Sequence, residues 1–119
     1  MKLQSYKELI VWRKGVSLVL EIYKLTNLFP REEIYGLTSQ IRRSSVSIPA
    51  NIDEGSRRGT RKDYRSFLIN AFGSGAELET HLLIAKQLPF GKSLDYKAVE
   101  TLLEEIMKML NKLISQLSE

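Results

Sequence analysis

One segment of this sequence concentrates the side chains that can do chemistry with an anion. Between Arg42 and Arg65 stand seven basic residues, Arg42, Arg43, Arg57, Arg58, Arg61, Lys62 and Arg65, against three acidic ones, Asp53, Glu54 and Asp63. The rest of the chain holds eleven basic and eleven acidic residues, so the whole net charge of +4 resides here. Six of the seven cations are Arg, although Lys outnumbers Arg elsewhere. A guanidinium is planar and presents a fork of donors that matches phosphate oxygens. These seven residues are therefore the candidate nucleic-acid-binding site. The competing reading is a solvated charged turn between two helices. Arg57, Arg58, Arg61 and Lys62 surround the turn at Gly59 and the start of a predicted helix. Cations there face the positive end of the helix dipole, a repulsion that a bound phosphate would relieve. Arg42 and Arg43 join the same patch only if the fold brings them near.

The other chemistry-bearing residues point nowhere. Gly91-Lys92-Ser93 ends like a phosphate-binding loop, but the required earlier glycine position is Lys86 and no strand precedes it. His81 is the one histidine, and there is no cysteine. Disulfides, thiolate metal sites and cysteine nucleophiles are thereby excluded. Glu77 and Glu79, two apart, point to different faces of a helix. Leu78 stands three before His81, where a di-iron bundle carries Glu. The expectation is a protein that is not an enzyme, with no cofactor, metal or small-molecule substrate.

Four apolar-periodic segments must position the basic residues. Helices are predicted near 5–28, 36–55, 61–88 and 94–117. The first opens on the capping-box spacing Ser5 to Glu8 and ends before Pro30. It carries two stripes, Leu9-Trp12-Val16-Val19-Tyr23 and Val11-Leu18-Ile22-Leu25. In the second, Leu37, Ile41, Ser44, Ser45, Ile48 and Ile52 share a face, and Pro49 kinks the helix or splits it after Ser47. Thr60 to Asp63 resembles a second capping box opening the third helix. The run Gly73-Ser74-Gly75 costs that helix propensity, which either tight packing or a hinge would explain. Ser93 or Asp95 caps the fourth. Leu37, Ile48, Leu68, Leu78, Leu82, Ile106 and Leu110 are the expected core.

With 119 residues and no alternating strand pattern, the chain reads as one all-α domain over 1–119. Short connections imply an antiparallel up-down-up-down four-helix bundle. No apolar run suggests a secretory leader or a membrane span, so a cytoplasmic protein without membrane contact is expected. The first and third helices carry more apolar surface than one bundle needs, and self-association through residues such as Phe72 and Leu83 would use it.

The stretch Ser39-Gln40-Ile41-Arg42-Arg43-Ser44-Ser45-Val46-Ser47-Ile48-Pro49-Ala50-Asn51-Ile52-Asp53-Glu54-Gly55 resembles the signature of the four-helix-bundle proteins encoded in intervening sequences of bacterial large-subunit (23S) ribosomal RNA genes. Leu9-Ile10-Val11-Trp12, Tyr35-Gly36-Leu37-Thr38 and Glu77-Leu78-Glu79-Thr80 fit the same family, and the likeness covers nearly the whole chain. Asp53 departs from the pattern, where alanine is usual, and adds an acid beside Glu54. The resemblance implies a left-handed bundle and a homopentameric ring. The genetic setting implies contact with RNA, and a related retroelement accessory protein binds nucleic acid. The function expected is binding of structured RNA, with a protein–protein scaffold or adaptor as the alternative.

Overall fold

The computed structural model describes residues 6–118. Four helices account for most of them: α1 (Tyr6–Thr26), α2 (Leu37–Ser56), α3 (Arg61–Gln87) and α4 (Lys97–Gln116). A single turn of 3₁₀ helix, Arg31–Glu33, lies between α1 and α2. No strand occurs among the described residues. The predicted cap at Ser5 lies outside them.

Each helix packs on the one before it, and α4 closes the set against α1. The pairings run in opposite order along each neighbouring pair. Arg43 of α2 meets Glu77 of α3, and Ser47 meets Ser74. On α3 and α4, Arg65 meets Ile114 while Lys86 meets Glu100. Neighbouring helices are therefore antiparallel, and α1 runs parallel to α3.

The buried residues of each helix recur every three or four positions, so one face of each turns inward. Ile48, Leu68, Leu78, Leu82, Ile106 and Leu110 are buried as expected, whereas Leu37 at the first turn of α2 is only half-buried. On α1 the core takes Val11, Leu18, Ile22 and Leu25; the companion stripe is left partly open at Val16 and Tyr23.

Helix α2 runs unbroken through Pro49, which settles the choice between one helix and two. Pro49 packs against Gly15 of α1, where an added Cβ would lie 3.2 Å from the ring. Ser44 and Ser45 are fully buried with their hydroxyls donating to the carbonyls of Gln40, Ile41 and Arg42. Their polar atoms are thus satisfied within the helix while the small side chains admit close neighbours. Helix α3 is likewise continuous across its glycines. A Cβ on Gly75 would strike the Met107 thioether, so packing against α4 accounts for this glycine.

Thr60 caps α3 as predicted, accepting from the Asp63 amide at 3.1 Å. Helix α4 starts later than the sequence suggested. Tyr96 is buried and donates its hydroxyl to the Gly91 carbonyl, which holds residues 91–96 in the turn. Asp95 then accepts from the Lys97 amide at 2.9 Å.

Leu78 is fully enclosed, and Leu78→Ala should lower the unfolding free energy by about 2–5 kcal/mol in a denaturant titration. Burial, with the Glu8 carboxylate nearby, pushes the Tyr64 phenol well above its usual value. A raised pKa in the folded state gives stability that is complete below the unfolded value, about 10, and is lost as pH rises past it. Stability should therefore fall on the alkaline side of about pH 10, and less steeply in Tyr64→Phe.

Candidate nucleic-acid interface

The sequence-predicted cations fall into two groups. Arg57, Arg58, Arg61, Lys62 and Arg65 gather at the α2–α3 corner. Arg42 and Arg43 lie fifteen residues before Arg57 and Arg58 on α2, about 22 Å away at the helical rise. The idea that all seven could form one patch fails on this distance.

Both distant arginines are occupied with the fold. Arg42 is half-buried, donates to Thr26 Oγ1 at 2.9 Å and to Asn27 Oδ1 at 3.1 Å, and stacks on the Tyr23 ring. It thereby fastens α2 to the end of α1. Arg43 bridges Gln40 and Glu77, the latter at 3.0 Å, across the α2–α3 seam.

The five at the corner differ in how they are held. Arg57 pairs with Asp53 and Arg58 with Glu54, one helical turn back, at 3.2 and 2.9 Å. Arg58 also lies over the Phe67 ring. Arg61 donates to the carbonyl of Gln116 and Arg65 to that of Ile114, both at 3.1 Å. Lys62 is exposed and makes no ion pair or hydrogen bond among the described residues. Tyr64, an aromatic neighbour of a type that stacks on bases, is buried.

These contacts revise the electrostatic reasoning from sequence. The corner where α3 begins is also where α2 and α4 end. Arg57 and Arg58 sit at the negative end of α2, and Arg61 and Arg65 reach the last carbonyls of α4. Helix C-termini stabilise cations. The fold therefore gives these arginines a structural reason that requires no bound anion.

Two cations of the same end escaped the sequence reading. Lys7 of α1 lines a cleft of about 290 Å³ with Glu8, Arg61, Gln116 and Leu117. An adjoining cleft of about 200 Å³ runs from Lys7 to Lys112 and Gln116 of α4. Neither lysine belongs to the basic segment of the chain. Only the antiparallel return of α4 and the start of α1 at this end bring them in, and no local signal marks them.

A guanidinium carries five N–H donors. Arg61 and Arg65 each use one on α4 in the contacts described, which leaves the outer edges of two fixed forks for a ligand. The pairs of Arg57 and Arg58 are exposed, and such pairs are worth little, so exchange of a carboxylate for a phosphate costs little. Elsewhere, Glu77 is paired with Arg43, and His81 is half-buried on α3 with Nδ1 facing no partner. The described residues assemble no group of three metal-ligating side chains. None of their helices is long and apolar enough to cross a membrane.

A family model described as 23S rRNA-intervening sequence protein matches residues 7–112. The chain is also similar to a solved structure from Bacteroides thetaiotaomicron VPI-5482, described as a protein with unknown function from the S23 ribosomal protein family. The two share 26% identity over 92% of this chain and 98% of that one, with a TM-score of 0.83. No curated protein matches the chain.

The anchored and free cations should separate in stability measurements. Arg65→Ala removes a charged donor from the α4 terminus and should lower the unfolding free energy by about 1–2 kcal/mol. Lys62→Ala should leave it within about 0.5 kcal/mol.

Proposed function

We propose that this chain, which belongs to the 23S rRNA-intervening sequence protein family, is a non-enzymatic protein that binds structured RNA with the basic end of its bundle. The observation that carries the reading is the convergence of five cations from residues 57–65 with Lys7 and Lys112 of two other helices. A surface of this kind grips the phosphate backbone and reads shape more than sequence. The residues assigned to it are Arg57, Arg58, Arg61, Lys62, Arg65, Lys7 and Lys112; Arg42 and Arg43 serve the fold. The protein acts in the cytoplasm, where ribosomal RNA is found. It does so as a closed homo-oligomer, five subunits by the family likeness, because several copies multiply weak phosphate contacts.

A second reading is supported by the exposed apolar side chains Leu20, Ile69 and Leu83, which suit a scaffold that holds another protein. Salt separates the two. Phosphate contacts release counterions and weaken steeply with ionic strength, whereas an apolar interface does not.

Arg57→Ala combined with Arg58→Ala should weaken binding to unrelated structured RNAs alike. The log–log salt slope should flatten by about two, because two fewer phosphates are neutralised. Wild-type affinity and slope in the double variant would remove this end as the site. Absence of RNA binding by the wild type at low salt would leave the scaffold reading.

A further inference from the structure

A narrow slot opens on the seam between α1 and α4 at the basic end. Lys7, Met109, Lys112, Leu113 and Gln116 line it, and its volume is about 200 Å³. Its apolar lining is the half-buried Met109 and the buried Leu113, to which the stems of the two lysines add hydrocarbon. The adjoining cleft of about 290 Å³ shares Lys7, Leu113 and Gln116 and is otherwise lined by Glu8, Arg61 and Leu117. Apolar slot and charged forecourt are therefore two parts of one depression.

The charges facing each other across this seam change character on the way to the end. Lys14 of α1 pairs with Glu105 of α4 at 3.1 Å. Seven residues further along each helix, about two turns, the facing residues are Lys7 and Lys112. Opposite charge has given way to like charge. Neither lysine makes an ion pair or hydrogen bond among the described residues. Arg61 adds a third cation, held against the Gln116 carbonyl. The acid among the lining residues is Glu8, and it lies by the Tyr64 phenol. An anionic group between the two lysines relieves their repulsion.

An occupant that suits both parts joins a small apolar body to an anion. An unpaired nucleotide has that constitution: the face of its base is apolar, and its phosphates are the anions this end is proposed to hold. A thioether such as that of Met109 packs well on an aromatic ring. Gln116 is exposed at the rim, and its amide carries both a donor and acceptors for a base edge. A base inside a duplex has its faces stacked and its edge paired, whereas a bulged or looped-out base is free to enter.

We infer that the slot takes one unpaired base of the bound RNA, with the flanking phosphates on Lys7, Lys112 and Arg61. The ligand class narrows from structured RNA in general to RNA that carries a bulged or looped-out base beside paired backbone. The inference rests on the RNA reading of the basic end. The α2–α3 corner then supplies grip, and the slot at the α1–α4 seam fixes the register of the RNA.

Two hairpins of one sequence, fully paired or with one added bulged adenine, test it at low salt. The wild type should bind the bulged hairpin about tenfold more tightly, a gain of the size that one stacked base supplies. Methyl NMR of the methionines reads where the base goes, since the chain has three, Met1, Met107 and Met109. The ring current of an inserted base should move the Met109 methyl upfield with the bulged hairpin and not with the paired one. Met107, packed against Gly75 at the α3–α4 contact, should stay in place. Met109→Ala and Gln116→Ala should each bring the affinity ratio of the two hairpins towards one. Gln116 is exposed, so its variant keeps the test open where loss of Met109 loosens the helix pair. Equal wild-type affinities, or a Met109 methyl unmoved by the bulged hairpin, would overturn the slot, and the RNA reading would stand if both hairpins bind with a steep salt dependence. A Met109 methyl moved by dodecanoate and not by the bulged hairpin would give the slot to an apolar carboxylate and overturn the inference equally. If neither hairpin binds, the RNA reading falls and the slot inference falls with it.

Discussion

Close approach to α2 from both sides is the constraint on which the rest of the bundle depends. Gly15 admits Pro49 against α1, and Ser47 and Ser74 bond across the seam with α3. Gly55 lies under Phe67 and Tyr64, where a Cβ would be 2.6 Å from the Phe67 Cβ. Small residues at these positions draw α1 and α3 in far enough for the larger apolar side chains to fill a common core. The buried serine hydroxyls turn back onto their own helix, so the seams hold polar groups without leaving them unsatisfied.

The same constraint determines where the cations end up. Antiparallel helices with short connections place the end of α2 and the start of α3 at one pole, and the return of α4 brings its last carbonyls there. Two helix ends of negative polarity and the basic segment between them then occupy one small region. The charge of this end and the stability of the bundle are parts of one arrangement, not a surface added to a finished fold.

Helix number, approximate limits and most of the core were legible because each helix carries its apolar residues at a period near 3.6. The Thr60 cap was legible too, since its partner lies three residues away in sequence. What escaped depends on contacts between distant segments. The late start of α4 follows from Tyr96 reaching Gly91 in a buried turn. The separation of Arg42 and Arg43 from the other cations follows from the length of α2, and their roles from partners on α1 and α3. Lys7 and Lys112 joined the basic end through topology alone. The sequence also favoured neither of the two α1 stripes, because both have helical period; only the placement of α2 and α4 decides which one is covered.

The grip of Arg61 and Arg65 on the final carbonyls of α4 has a dynamic side. The last turn of a helix is ordinarily the first part to open. Here it opens only by releasing guanidinium groups that belong to a different helix. Any anion that prefers those groups in their anchored positions must, by reciprocity, hold the α4 terminus closed by the same factor. Amide exchange at Leu113 and Ile114 thus becomes a remote gauge of what occupies the outer edge of two arginines on α3.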